Sequence, residues 1–201
     1  MANLKDIRNR IKSVKSIQQV TKAMKMVAAA KMRRAQENME QSRPYTARLD
    51  NMLDNLIIDV DRELLPELQL RDQINKKLFI IITGDRGMAG AFNTNILKKA
   101  QSDIDVNGKE QAMIISIGKK SRDYFKNRNF DISFEHINFW GDLNFNHAIN
   151  IGQEIVDLFV SGKVDQVKVY YNEFKNLATQ IIKDVDFLPL KEFDSTEDKK
   201  Q

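Results

Sequence analysis

The sequence predicts an α/β protein: a long N-terminal coiled-coil helix followed by a Rossmann-like α/β domain with a mainly parallel sheet. Three observations predict it. Apolar residues step by three and four through the first stretch of chain, and no glycine interrupts residues 1–83. Near residue 77 the period changes, and short apolar runs begin to alternate with helical patterns. Charge also divides the chain. Residues 1–48 hold 12 Lys/Arg against 3 Asp/Glu, a net of +9, whereas residues 49–201 hold 20 against 25, a net of −5. Any basic partner surface therefore lies on the N-terminal arm.

The arm, residues 1–58, is expected to be one helix. Leu4, Ile7, Ile11 and Val14 form a coiled-coil seam, which Ile17, Val20, Met24 and Val27 continue in a shifted frame. Ala28, Met32, Ala35 and Met39 follow in a third frame. Such phase changes locally alter supercoiling. Pro44 kinks or breaks the helix, with Ser42 as a potential cap. A kink is favoured, because apolar spacing resumes at Tyr45, Leu49, Met52, Leu53, Leu56 and Ile57. A continuous helix of ~55 residues would be about 80 Å long and needs a partner helix to bury its seam. Asp59, Asp61 and Glu63 read as a solvated acidic cluster within a linker over 59–75.

The α/β domain is expected over 76–190. Leu78–Ile82 is a buried strand, followed by a glycine-rich turn and a helix over about Thr94–Asp105, capped by Asn93 or Thr94. QAMIISIG is a second strand, KKSRDYFKNRN a short helix and FDISFEHI a third strand. Phe145–Val160 is an amphipathic helix with Ala148, Ile151, Ile155, Leu158 and Phe159 inward. VDQVKVYYNEF and ATQIIKDVDFLPL alternate as strands of a hairpin through Lys175–Ala178. The polar end, 191–201, is expected to be disordered.

Several chemistries are excluded or weak. There is no cysteine, so disulfides, thiolate catalysis and cysteine-ligated zinc are absent. No apolar run reaches membrane-spanning length. The turn Gly84-Asp85-Arg86-Gly87-Met88-Ala89-Gly90 sits where a phosphate loop would sit, but its G-x-x-G-x-x-G spacing is neither the dinucleotide fingerprint nor a phosphate loop with G-K-[ST]. A tight strand-to-helix crossover, with Asp85 and Arg86 bonding locally, is the plainer expectation. DIDVNG, Asp103–Gly108, begins like a calcium loop, but Ile114 stands where its last ligand should be, so an Asn-Gly turn is expected. His136 and His147 fall on different elements and make a poor metal site. Trp140-Gly141-Asp142 reads as a loop anchored by an aromatic. No cofactor or metal is expected.

The basic arm carries the strongest signal. Thr21–Gln36, TKAMKMVAAAKMRRAQ, holds five cations, five alanines, three methionines and no acidic residue. Nucleic-acid binding is one reading of such charge, but residues 1–44 contain no aromatic for stacking and no DNA-binding motif frames the helix. A membrane-surface helix wants larger apolar residues. Small Ala and supple Met suit close packing and sliding against another protein.

IRNRIKSVKSIQQVTKAMKMVAAAKMRRAQ, Ile7–Gln36, resembles the N-terminal helix of the gamma subunit family of rotary ATP synthases. TGDRGMAGAFN, Thr83–Asn93, resembles the second signature of the same family, in the right order and at the right separation. The family usually has a small residue or cysteine and then glycines there, whereas Ala89-Gly90-Ala91 stands in this chain.

The resemblance implies a non-catalytic rotor in the central stalk, coupling ion flow through the membrane sector to ATP synthesis. It implies that the helix pairs with a C-terminal helix and lies inside a hexamer of alpha and beta subunits. The implied beta contacts are Met24 with Lys22, Lys25, Lys31, Arg33 and Arg34. The implied seam is Leu4, Ile7, Ile11, Val14, Ile17 and Val20, and the signature turn is Gly84, Asp85, Arg86, Gly87 and Gly90. The epsilon subunit and the c-ring are the implied partners of the α/β domain, with no nucleic acid and with membrane association only through the complex. The implied location is peripheral, on the cytoplasmic face of a bacterial membrane or on an organellar energy-transducing membrane. The family continues through a second long helix, whereas this sequence stops at Gln201, so the expectation is either a fragment or a chain without that helix. The alternatives are a nucleotide-binding α/β enzyme and a basic-helix nucleic-acid binder.

Overall fold

The computed structural model describes residues 3–59, 61, 64–176 and 179–190. The chain divides into two compact units, Met1–Asp59 and Val60–Gln201. The polar end 191–201 and the side chains of Asp59 and Glu63, part of the expected acidic cluster, lie outside the described residues.

The first unit is a single helix, α1, Leu4–Asp59, with Pro44 inside it. Its 56 residues correspond to about 84 Å at the α-helical rise. The helix does not break at Pro44. Ser42, the expected cap, instead donates its hydroxyl to the Asn38 carbonyl at 2.8 Å.

The second unit is built on a five-stranded sheet of order β3-β2-β1-β4-β5. Its elements are β1 Lys77–Ile82, α2 Phe92–Asn107, β2 Ala112–Ile117, α3 Lys119–Lys126, β3 Ile132–His136, α4 Phe145–Val160, β4 Gln166–Phe174 and β5 Gln180–Leu188. Strands β1 to β4 are parallel and β5 is antiparallel to β4. Buried on both faces, β1 and β2 read as continuous apolar runs, as parallel strands do. One core packs Phe79, Ile81 and Ile114 of the sheet against Ile96, Leu97, Ala100 and Ile104 of α2 and Phe125 of α3. The other packs Leu78, Ile80, Ile115 and Val167 against Ile155, Leu158 and Phe159 of α4.

Three local expectations are corrected. Helix α2 starts earlier, at Phe92, and its N-cap is Ala91 with no side-chain cap bond. Asn93 is buried and turned to the glycine-rich turn, so it cannot cap. Ala148 is exposed, because α4 meets the core only through its later turns, from Ile151 onward. The Asp103–Gly108 stretch is helical up to Asn107, and only Gly108, at φ +93°, turns the chain. The β4–β5 hairpin is closed by Asn176 and Thr179, which exchange backbone hydrogen bonds at 3.1 and 3.3 Å.

Candidate functional site

Two features stand out: the solvent-facing cations of α1 and the turn after β1. On α1, Met24 is 60% exposed, and Lys22, Lys25, Lys31, Arg33 and Arg34 are all exposed. Arg33 pairs with Glu37 at 2.9 Å. Among the described residues, no ion pair is seen at Lys22, Lys25, Lys31 or Arg34. The local sequence dictates this face. Ala28, Ala29 and Ala30 favour helix strongly and add no bulk, so the long cationic stems stand clear of the backbone.

The seam residues Leu4, Ile7, Ile11, Val14, Ile17 and Val20 are about half or more exposed. Ile7, Ile11 and Val14, with the stems of Arg10 and Lys15, line an open apolar groove of about 510 Å³. Fully burying side chains of this kind from water yields roughly 1.5–3 kcal/mol each, and these stand about half exposed.

The turn after β1 is tied down from inside the fold. Helix α3 begins at Gly118, and the first N–H groups of a helix have no intrahelical acceptor. Here three consecutive ones find acceptors on the turn. Lys119 N–H donates to Asp85 Oδ1 at 2.7 Å, Lys120 N–H to the Gly84 carbonyl at 3.2 Å, and Ser121 N–H to Thr83 Oγ1 at 2.9 Å. The second Asp85 oxygen accepts from Asn138 N–H at 3.0 Å. Asp85 therefore bonds to two distant segments rather than locally, correcting the expectation. Its carboxylate stands where an anion at a helix N-terminus would stand, so the macrodipole is already met by the chain's own charge.

The fit is close. Thr83 N–H donates to the Ile117 carbonyl at 2.8 Å, and a Cβ on Gly118 would sit 2.0 Å from the Thr83 carbonyl oxygen. Asn93 clasps the turn, accepting from Gly84 N–H at 3.0 Å and donating to the Arg86 carbonyl at 3.4 Å. Arg86 thus contributes only its backbone carbonyl to the clasp, while its side chain is exposed. Strand order reverses at β1, between β2 and β4, the place where doubly wound sheets hold ligands. Asn172 of β4 bridges that place by donating to the Phe92 carbonyl at 3.1 Å. Gly84, Gly87 and Gly90 permit the turn, with Gly90 at φ +56°. Met88, also at positive φ, is fully exposed at its tip.

The remaining candidates have structural partners. His136 Nε2 lies 2.7 Å from Glu154 Oε2, and His147 completes a capping box with Asn144 at the start of α4. No group of three His, Cys, Asp or Glu that could hold a metal occurs among the described residues. Asp103, the first position of the calcium-like stretch, instead accepts from Lys99 and from the Tyr170 hydroxyl, each at 2.9 Å. Trp140 stacks on Phe139 with centroids 4.7 Å apart, which anchors that loop. Sequence reasoning missed Thr83, Asn93, Asn138 and Asn172 as ties of the turn. Thr83 shows only a hydroxyl beside Gly84, and nothing adjacent to Asn93, Asn138 or Asn172 in the sequence marks the role, which Asn138 fills with its backbone N–H.

Residues 3–201 match the family described as ATP synthase. The chain is 45% identical over 195 residues to an ATP synthase gamma chain of Chloroherpeton thalassium, covering 94% of this chain and 64% of that one. With the gamma chain of Desulforamulus reducens it shares 42% over 201 residues, covering 100% of this chain and 69% of the relative. The chain thus spans about two thirds of the length of the curated relatives it matches. Among solved structures, it resembles a chain in the central stalk and c-ring of the Tetrahymena thermophila mitochondrial ATP synthase. The TM-score is 0.66 at 26% identity, over 85% of this chain and 72% of that chain. A chain in the rotor of the Euglena gracilis mitochondrial enzyme shares the fold, with a TM-score of 0.56 at 21% identity, over 92% of this chain and 62% of that one. On the family match and these identities, the chain belongs to the ATP synthase gamma chain family.

Proposed function

We propose that the chain is the rotor part of the central stalk, non-catalytic itself, coupling ion flow to ATP synthesis in a hexamer of alpha and beta subunits. The observation that carries this is the exposed face of α1: Met24 among five cations, with no acidic residue from Thr21 to Gln36. Such a face fits an acidic partner surface by charge and offers dispersion without direction. A rotor must pass successive similar sites, so strong directed pairs would hold it back. In this reading Lys22, Met24, Lys25, Lys31, Arg33 and Arg34 meet beta, and the seam Leu4–Val20 meets a partner helix. The shaft is 1–58, joined through 59–75 to the α/β domain over 76–190, which meets epsilon and the c-ring. The complex lies at an energy-transducing membrane, bacterial in the first instance, and no helix described is long and apolar enough to cross it.

The internal ties of the Gly84–Gly90 turn support this reading over a nucleotide-binding enzyme. The α3 N–H groups that open onto the turn already serve Asp85, Gly84 and Thr83. Titration of the chain with ATP and ADP, followed calorimetrically, is expected to show no binding. Saturable micromolar binding, lost on replacing residues of the turn, would replace the rotor reading with the enzyme one.

A further inference from the structure

We propose that α1 contains a flexural joint over Asn38–Thr46, centred on Pro44, which links a stiff segment Leu4–Glu37 to a second segment Ala47–Asp59. The proposal concerns α1 alone and does not depend on which partners α1 meets.

Three carbonyls at alternate positions lead into the joint. Pro44 has no N–H, so the Glu40 carbonyl loses its i+4 donor, and the proline ring crowds that same carbonyl. Two residues before Pro44, the Ser42 hydroxyl donates to the Asn38 carbonyl at 2.8 Å. Two residues after it, the Thr46 hydroxyl donates to the Ser42 carbonyl at 3.1 Å. A hydroxyl bonding back to the i−4 carbonyl competes with the backbone ladder and bends a helix. Asn38, Glu40 and Ser42 therefore each share or lack a ladder donor. Sharp bends in helices arise from such causes.

The flanking sequence sharpens the contrast. Residues 22–37 are mostly Ala, Met, Lys, Arg, Gln and Glu, all strong helix formers, with Val27 the main exception. Asn38, Ser42, Pro44, Tyr45 and Thr46 are poor ones. Ser42, Pro44 and Thr46 are exposed, so their own packing does not stiffen the segment. Elsewhere on α1, Thr21 also bonds back, to the Ile17 carbonyl at 2.7 Å, but no proline accompanies it, so no backbone donor is missing from that turn. Bending is thereby concentrated at one place. The cationic face Thr21–Gln36 lies wholly on the stiff side and can tilt as a unit against Ala47–Asp59.

The absence of cysteine makes the test direct. Two spin-label pairs are introduced into the 201-residue chain, each spanning 21 residues, or roughly 30 Å. Ala30→Cys with Asn51→Cys straddles Pro44, whereas Arg8→Cys with Ala29→Cys lies within the stiff segment. All four sites are exposed. Distances are read by double electron–electron resonance. The straddling pair is expected to give a distribution at least twice as wide as the control, and Pro44→Ala is expected to remove at least half of the excess. Equal widths for the two pairs overturn the joint, including equal widths caused by general fraying of α1. A straddling width that Pro44→Ala leaves unchanged overturns it as well.

Discussion

Replacing Asp85 by Ala should unfasten the turn after β1 from two other segments at once. The carboxylate accepts from Lys119 N–H at 2.7 Å and from Asn138 N–H at 3.0 Å. A hydrogen bond to a charged group contributes ~1.5–3 kcal/mol when shielded, and loss of a helix N-cap costs about 1 kcal/mol. Both donors lie near solvent, so water recovers part of each bond. The expected loss is about 2 kcal/mol for the α/β unit. With a urea m-value of about 2 kcal/mol/M, the midpoint should fall by roughly 1 M. Asp85→Asn keeps one acceptor oxygen and should lose about half as much. The assay is urea unfolding of the 201-residue chain, followed by the fluorescence of its single tryptophan, Trp140. That residue stacks on Phe139, next to the Asn138 that Asp85 holds. A midpoint shift below about 0.2 M for Asp85→Ala would mean that the carboxylate does not fasten these segments.

Further outcomes follow from other contacts. Gly118→Ala places a Cβ 2.0 Å from the Thr83 carbonyl oxygen at a residue with φ +97°, so it should destabilise by roughly 3 kcal/mol or more; native-like thermal unfolding would contradict the fit. Burial first, and then its bond to Asp103, push the Tyr170 phenol pKa well above its ordinary value. The folded state therefore holds this proton more tightly, so its stabilising share is complete below about pH 10 and is lost as pH rises beyond that. Tyr170→Phe should flatten the alkaline fall in stability measured by urea unfolding across pH, and an unchanged slope would discount the phenol. In a complex reconstituted with a full-length gamma chain carrying this sequence, Met24→Lys should leave ATP hydrolysis and lower its coupling to ion transport, whereas Met24→Leu should be nearly silent. Equal uncoupling by both would move the cause from added charge to shape.

How much was legible beforehand differs by element. Helix α4 is legible to the residue, Phe145–Val160, because its strong apolar period marks it locally; its Asn144 capping box is visible only in the structure. Strand β1 was read within one residue, because a buried parallel strand is a short unbroken apolar run. The cap of α2 was misread for a physical reason. Asn93 has the right side chain in the right place, but bonding the turn from a buried position took that side chain away from capping. Asp85 was read as local, since nothing in GDRGMAG shows that α3, over thirty residues on, brings its open N–H groups to it. Ala148 was placed inward by periodicity alone, but the sheet does not reach the first turn of α4. The basic face of α1 was legible as charge, although charge alone left nucleic acid and protein partners open. The helix through Pro44 was favoured from the resumed spacing, but the hydroxyl bonds on either side of it were not visible in the residue letters.

The most direct measurement concerns what Met24 touches. Met24→Cys, the only thiol in this sequence, is labelled with a short photoreactive group in a full-length gamma chain and assembled with alpha and beta subunits. After illumination, cross-linked peptides are located by mass spectrometry. The rotor assignment predicts cross-links to an acidic segment of beta. Cross-links absent from beta would contradict it.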